Sequence, residues 1–284
     1  MVEFDWYEAT IPKPLEDVLE ALGGLREGLS ISHGRGYHGY AHTAILGSHL
    51  TGDVARVWHG GSHPYPHAIV SSQWAQPGAE LIRAAFPEHT VSRCDVKEDF
   101  DGEDTYERLQ AQLVAIARER RVKVDCKGDH LVTKKGRTCY LGSISSGVRM
   151  RLYDKAEEMR SKVVAPKVAS PDEWYRMHGI PDHLTRLEAE IRPHTREAKA
   201  SFATIDPVDA LGSAAWMREV WRQVAGLDLN PVRVGKGYRQ SDDERAYRYC
   251  LAHYGGMLRR LAGDLGSWAC VGMQLGEDLK GERP

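Results

Sequence analysis

Apolar and polar positions alternate along several short stretches of this chain and follow helical spacing along others. Val148, Met150 and Leu152 fall on one side of an extended segment, while Arg149, Arg151, Tyr153 and Lys155 fall on the other. Arg186-Leu-Glu-Ala-Glu-Ile-Arg192 repeats the pattern, with Leu187, Ala189 and Ile191 opposite Arg186, Glu188, Glu190 and Arg192. In Val91 to Asp99, one side carries Arg93, Asp95, Lys97 and Asp99. Further strands are expected over 4–11, 66–73 and within the Gly-, His- and Tyr-rich stretch 30–62; residues 137–155 read as a hairpin. Helices are expected over 15–25, 79–86, 155–162, 207–225 and 242–264, and most clearly over 105–120, where Leu109, Leu113, Ile116 and Ala117 share one face. Residues 163–171 read as a loop.

Strands early and helices late describe an α+β protein, an antiparallel sheet with helices packed on one face. The expected division is a sheet domain over 1–204 and a helical region over 205–284. Trp216 and Trp221 read as helix core, and Tyr247 and Tyr249, two apart on a helix, as packing residues.

At 284 residues the chain can bury a sizeable core, and 42% hydrophobic with 27% charged residues is ordinary for a globular protein. No apolar run approaches the roughly 18 residues of a membrane span. No signal-peptide pattern opens the chain, and Cys94, Cys126, Cys139, Cys250 and Cys270 are scattered without a C-x-x-C pair. The expected compartment is a reducing cytoplasm. No Walker A motif, serine elbow or dinucleotide fingerprint occurs.

Net charge is only −2, but it is segregated. Residues 118–167 carry fourteen Lys/Arg against six Asp/Glu, and residues 95–107 carry seven acids against one lysine. A basic segment suits phosphate contacts, and Lys134, Lys135 and Arg137 lie within it. If the three one-faced strands share a sheet, one surface packs on helices and the other gathers carboxylates, guanidinium groups and a tyrosine. Such a surface fits phosphodiester chemistry. A phenol with a pKa near 10 is a weak nucleophile until cations or a metal favour its phenolate. Mg²⁺ or Mn²⁺ on hard oxygen ligands neutralises and orients a phosphoryl group. Asp95 and Glu188, with Asp99 or Glu190, are the candidate oxygen donors. Arg149, Arg151 and Lys155 are candidates to hold phosphates, joined by Arg93 and Arg186 on the same faces.

Five segments in order resemble the replication-initiation factor family of rolling-circle plasmid initiators, filamentous-phage replication proteins and transposon relaxases. They are Phe4-Asp-Trp-Tyr, Val91-Ser-Arg-Cys-Asp-Val-Lys-Glu-Asp, Tyr140-Leu-Gly-Ser-x-x-Ser, Arg151-Leu-Tyr-Asp-Lys and Arg186-Leu-Glu, spread over roughly residues 1–200. The resemblance implies a divergent HUH-type endonuclease fold, a tyrosine nucleophile at Tyr153 and a divalent metal on Asp95 and Glu188. The chain has no H-x-H motif, which leaves the ligand set open; His67 is the candidate for a further ligand. The implied activity is nicking and rejoining of one origin strand through a 5′-phosphotyrosyl link. Its partners would be origin DNA, single-stranded or as a hairpin, with a host helicase and polymerase; a homodimer is left open. A mobilisation relaxase of the same chemistry and a DNA-binding regulator without cleavage are the alternatives. Ser32 to His42, rich in His, Gly and Tyr, reads as a glycine-punctuated hairpin that could contact DNA.

Overall fold

Strict alternation builds strands with one apolar and one polar side, and these pair into one antiparallel sheet. The computed structural model describes residues 1–49, 52–163, 170–235 and 242–281. The loop expected over 163–171 lies mostly outside the described residues. Contacts divide the chain into two compact units, Met1–Gly237 and Tyr238–Pro284.

The first unit contains β1 (Glu3–Thr10), α1 (Leu15–Gly23), β2 (Ser30–Arg35), β3 (His42–Ser48), β4 (Gly52–His59), β5 (His67–Ser71), α2 (Ala75–Ala85), β6 (Thr90–Phe100) and α3 (Thr105–Arg120). It continues with β7 (Val124–Lys127), β8 (Thr138–Leu141), β9 (Val148–Asp154), α4 (Lys155–Ser161), α5 (Pro171–Met177), β10 (Thr185–Ile191), α6 (Arg196–Ser201), α7 (Pro207–Ala210) and α8 (Ala215–Ala225). The ten described strands lie in the order β2-β3-β4-β5-β1-β6-β10-β9-β8-β7. All neighbours are antiparallel.

The apolar side of the sheet carries Phe4, Tyr7, Val91, Val96, Leu187, Ile191, Met150 and Leu152, each at most 1% exposed. Against it pack α2 on β1 and β5, α3 on β8 and β9, and α6 and α7 on β6. The clearest predicted helix, α3, buries Leu109, Leu113, Ile116 and Ala117 and ends where Arg121 turns left-handed at φ 53°. Helix α2 starts four residues before its expected position. Pro77 is tolerated in a first turn, and Gly78 packs so closely on Val70 that an added Cβ would lie 2.8 Å from its methyl groups.

The sequence boundary at 204/205 does not coincide with the division at 237/238. Residues 205–225 belong to the first unit because Ala210, Leu211, Met217, Val220 and Trp221 enter the same core as the sheet. Trp221 is fully buried there.

The second unit contains α9 (Asp242–Asp264) and α10 (Trp268–Gly281), joined at Gly266 with φ +83°. The Ser267 hydroxyl caps α10 by accepting from the Cys270 amide at 3.2 Å. A pair of helices has one shared seam, so much apolar surface stays outside it. Tyr247 and Tyr249, expected to pack, are 65% and 60% exposed. No described helix is long and apolar enough to cross a membrane.

Candidate active site

The three strands with charged faces are neighbours, in the order β6-β10-β9. Their register sets Glu188 between Arg151 and Lys97, Glu190 between Arg149 and Asp95, and Arg186 between Tyr153 and Asp99. All these side chains share the sheet face opposite the helices. β1 extends the row: Trp6 pairs with Asp95 and Glu8 with Arg93. A bulge between Phe4 and Trp6 swings Asp5 into the same network.

Tyr153 is half-buried at the end of this row. Its hydroxyl donates to Glu188 Oε2 at 3.4 Å. Glu188 is completely buried and its other oxygen, Oε1, accepts from Arg151 Nη2. Arg151 and Lys155 also approach the Tyr153 ring, at 5.4 and 5.9 Å from its centroid. Asp95, 1% exposed, accepts two bonds from Arg93, at 2.8 Å from Nε and 2.5 Å from Nη2. Burial pushes the Asp95 carboxyl well above its ordinary range. Glu188 and Glu190 add to the rise, and Arg93 opposes it.

The phenol does not follow the expectation that surrounding cations favour its phenolate. Burial, followed by the charge of Glu188, drives the Tyr153 pKa far above 10, and Arg186 and Arg151 only partly oppose this. The reason is that the cations are already committed. Arg151 is bonded to Glu188, Lys155 to Glu158 at 2.6 Å, and Arg186 to Asp99 and Asp5. In the resting site Tyr153 is therefore a neutral hydrogen-bond donor.

Of the expected metal ligands, Glu188 and Glu190 both act on the Asp95 carboxyl, while Asp99 and His67 stand apart. Asp99 lies four residues along β6 from Asp95, about 13 Å away at strand rise. It is gripped by Arg186, Nε to Oδ1 at 2.7 Å and Nη2 to Oδ2 at 2.8 Å. His67 stands on β5, three strand spacings from β10, about 14 Å. Its Nδ1 lies 3.1 Å from Thr10 Oγ1, and its ring stacks on Trp58. Among the described residues, no three His, Cys, Asp or Glu side chains group to hold an ion alone. Asp95 and Glu188 are carboxylates on neighbouring strands of one face, and Mg²⁺ commonly takes one or two carboxylates together with substrate phosphate and water.

The expected DNA-binding residues separate in the same way. Arg186 is 6% exposed and bound to both Asp99 and Asp5. Arg137 is 8% exposed, donates to Glu107 at 2.7 Å and lies 4.2 Å over the Tyr106 ring. Both are structural cations, as is Arg93 where it clamps Asp95. Lys134, paired with Glu107 at 3.1 Å, and Lys135 are exposed. The Arg149 guanidinium lies 3.9 Å over the Tyr140 ring, and its Nε has no partner among the described residues.

The Arg137–Glu107 pair carries its own expected result. Hydrogen bonds from Arg137, foremost, and Lys134 hold the Glu107 carboxyl down at about 2. A depressed carboxylate contributes stability above its unfolded pKa, near 4.3, and loses it as pH falls toward the folded value. The Tm difference between the native chain and Glu107→Gln should therefore be present at pH 6 and shrink as pH falls from about 4.3 toward 2. A difference that does not vary with pH would mean the pair adds nothing.

Glu8 is a site residue that the sequence reading above leaves out. Its signal is there: Trp6, Glu8 and Thr10 alternate with Tyr7, Ala9 and Ile11, which makes β1 a fourth strand with a polar side.

No family model matches the sequence, and no curated protein matches it. Among solved structures, the chain is similar to a rolling circle replication initiator protein from Geobacillus stearothermophilus. Identity is 17%, the match covers 86% of this chain and 91% of that one, and the TM-score is 0.49. At that distance the resemblance to replication-initiation factors rests on the motif residues themselves.

Proposed function

We propose that this chain initiates rolling-circle DNA replication by nicking and rejoining one DNA strand, with Tyr153 as the nucleophile. The observation that carries the reading is the Tyr153 hydroxyl bonded to a buried carboxylate, Glu188, on a sheet face shared with Asp95, Arg151 and Arg149. In the reaction the Tyr153 oxygen forms a bond to phosphorus as the P–O3′ bond breaks. The phenol proton passes to Glu188, its hydrogen-bond acceptor. The 3′ oxygen leaves as an alkoxide and takes up a proton. The products are a 5′-phosphotyrosyl link and a free 3′-OH, and the reverse attack rejoins the strand.

Partly exposed Arg149 and half-exposed Arg151 stand on the reacting face to hold phosphate oxygens. Exposed Lys134 and Lys135 suit phosphates farther along the strand. Asp95 and Glu188 would hold Mg²⁺ or Mn²⁺, which would supply positive charge against Glu188, whose charge adds to burial in keeping the phenol neutral. The DNA partner is single-stranded or hairpin origin DNA, in a cytoplasm that provides helicase and polymerase.

The test is incubation with Mn²⁺ and single-stranded oligonucleotides tiled across the DNA around the chain's own coding sequence, followed by peptide mapping. The expected result is one DNA-linked peptide containing Tyr153, lost on addition of EDTA. Glu188→Gln should reduce adduct formation by about 10²-fold or more. DNA binding without any adduct would favour a regulator without cleavage; an adduct at another tyrosine would sink the assignment.

A further inference from the structure

Beside the Tyr153 row, on the same polar side of the sheet, lies an open cleft of about 650 Å³. That is within the range of small-molecule sites. Its walls are aromatic. Trp58 stacks on His67 with centroids 5.4 Å apart and planes at 19°, and Tyr40 stacks on His63 at 4.3 Å and 23°. The Tyr40 and Trp58 rings are 6.1 Å apart. Trp58 and Tyr40 are only half-buried, so aromatic surface is left facing the cleft. The floor holds Glu8, whose Oε1 accepts from Trp6 Nε1 at 2.7 Å and whose Oε2 lies 3.7 Å from His67 Nε2. The Ser92 hydroxyl also donates to Oε2, at 3.4 Å; a carboxylate oxygen accepts more than one bond, and Glu8 is 13% exposed on the cleft side. Burial raises the Glu8 carboxyl, but its interactions with His67, Trp6 and Arg93 outweigh this and hold it below its ordinary value. Arg93, Arg192 and Lys199 also line it, Arg93 bonded to Asp95 and Arg192 to Glu190 of the reactive row.

We infer that this cleft binds one unpaired, amine-bearing nucleobase of single-stranded DNA, stacked on Trp58 and Tyr40 and hydrogen-bonded to Glu8. The inference rests on the proposed nicking reading for the identity of its polymer. Every base has a face that an aromatic ring can stack on, and stacking platforms beside cations are how single strands are held. A carboxylate acceptor adds selectivity. Cytosine presents an N4 amino donor where thymine presents the O4 acceptor, which a carboxylate repels. Arg192 and Lys199 meet the flanking phosphates, and Arg93, bonded to Asp95, joins the cleft to the reactive row. The strand would then be gripped one side of the scissile phosphate by a base and not only by charge. Tyr40 lies in the Gly- and His-rich stretch and His63 just after it, and glycines allow their loops to approach closely: a Cβ on Gly61 would lie 2.4 Å from the Gly39 carbonyl oxygen.

The test is equilibrium binding of the full chain to fluorescent dC20, dT20 and ribo-C20 in EDTA, at pH 8, where no nicking is expected. dC20 should bind on the order of tenfold more tightly than dT20. Trp58→Ala should weaken dC20 binding on the order of 5- to 100-fold, and Glu8→Gln should bring the dC20 and dT20 affinities within about twofold. Should Trp58→Ala not fold, photocrosslinking of the native chain to DNA bearing 5-iodo-deoxycytidine replaces it, with an adduct expected at Trp58 or Tyr40. Equal affinity for dC20 and dT20, a folded Trp58→Ala chain that binds as the native one, tighter binding of ribo-C20, or crosslinks confined to other peptides would each overturn the inference. Because these assays use no metal and read no cleavage, they separate from the Tyr153 adduct test. An adduct with an idle cleft sinks only the nucleobase site, and a selective cleft with no adduct sinks only the nicking.

Discussion

Tyr153→Phe should abolish covalent attachment to DNA and nicking, with a loss on the order of 10⁴-fold or more, while single-stranded DNA still binds within about threefold of the native chain. Thr138, opposite Tyr153 on β8, is an aliphatic alcohol and a poorer leaving group than a phenol. The nearest phenol in the register, Tyr140, lies across from Arg151 on β8 and is covered by the Arg149 guanidinium. The fold should tolerate the change. The lost hydrogen bond to Glu188 is long, at 3.4 Å, and Glu188 keeps Arg151. A stability loss of about 1 kcal/mol or less is expected. Nicking of a tiled single-stranded substrate, read beside anisotropy, decides the matter. A Tyr153→Phe chain that still cuts removes the tyrosine from the mechanism, and one that fails to bind would mean the phenol organises the DNA site instead.

Arg186→Ala should cost about 3–5 kcal/mol in urea denaturation, because it strips the shared partner from two carboxylates that are themselves largely covered. Arg186 donates to Asp99 through two nitrogens and to Asp5 through a third, at 2.7 to 2.8 Å. Asp99 and Asp5 are 31% and 13% exposed. This fork ties β10 to β6 and to β1, the centre of the sheet. Arg186→Lys should recover only part of the loss, since an ammonium cannot form the planar pair with Asp99. Lys135→Ala, at an exposed position, should stay within about 0.5 kcal/mol of the native chain. If Arg186→Ala instead leaves the denaturation midpoint unchanged and weakens DNA binding, the residue faces DNA and not the sheet.

The two outcomes mark where reading residues in order succeeds and where it stops. Alternation placed Arg149, Arg151 and Tyr153 together on one side of β9, and Arg186, Glu188 and Glu190 on one side of β10, because successive side chains in a strand must point oppositely. It also separated the apolar side that α2 and α3 cover. It could not tell an accessible guanidinium from one enclosed by its neighbours. Arg137 and Arg151 look alike in a basic run and each is bonded to a glutamate, yet one is 8% exposed over Tyr106 and the other is a half-exposed neighbour of Tyr153. Some short elements, such as β7 and α6, were not anticipated, since four to six residues carry too little periodicity to stand out. Tyr40, Trp58, His63 and His67 had no common signal, being loop and strand residues gathered only when β4 pairs with β5.

The residue pattern alone determined the α+β class, the two-sidedness of each principal strand and the presence of a tyrosine among charges. Those are local consequences of backbone geometry. The tertiary structure decided the partners: that β10 enters between β6 and β9, that Glu188 meets Tyr153 while Asp99 meets Arg186, and that the cations near the phenol are spent on carboxylates. Those facts depend on which distant strands pair and in what register. A period of two specifies the face of a side chain and leaves its neighbour across the sheet undetermined.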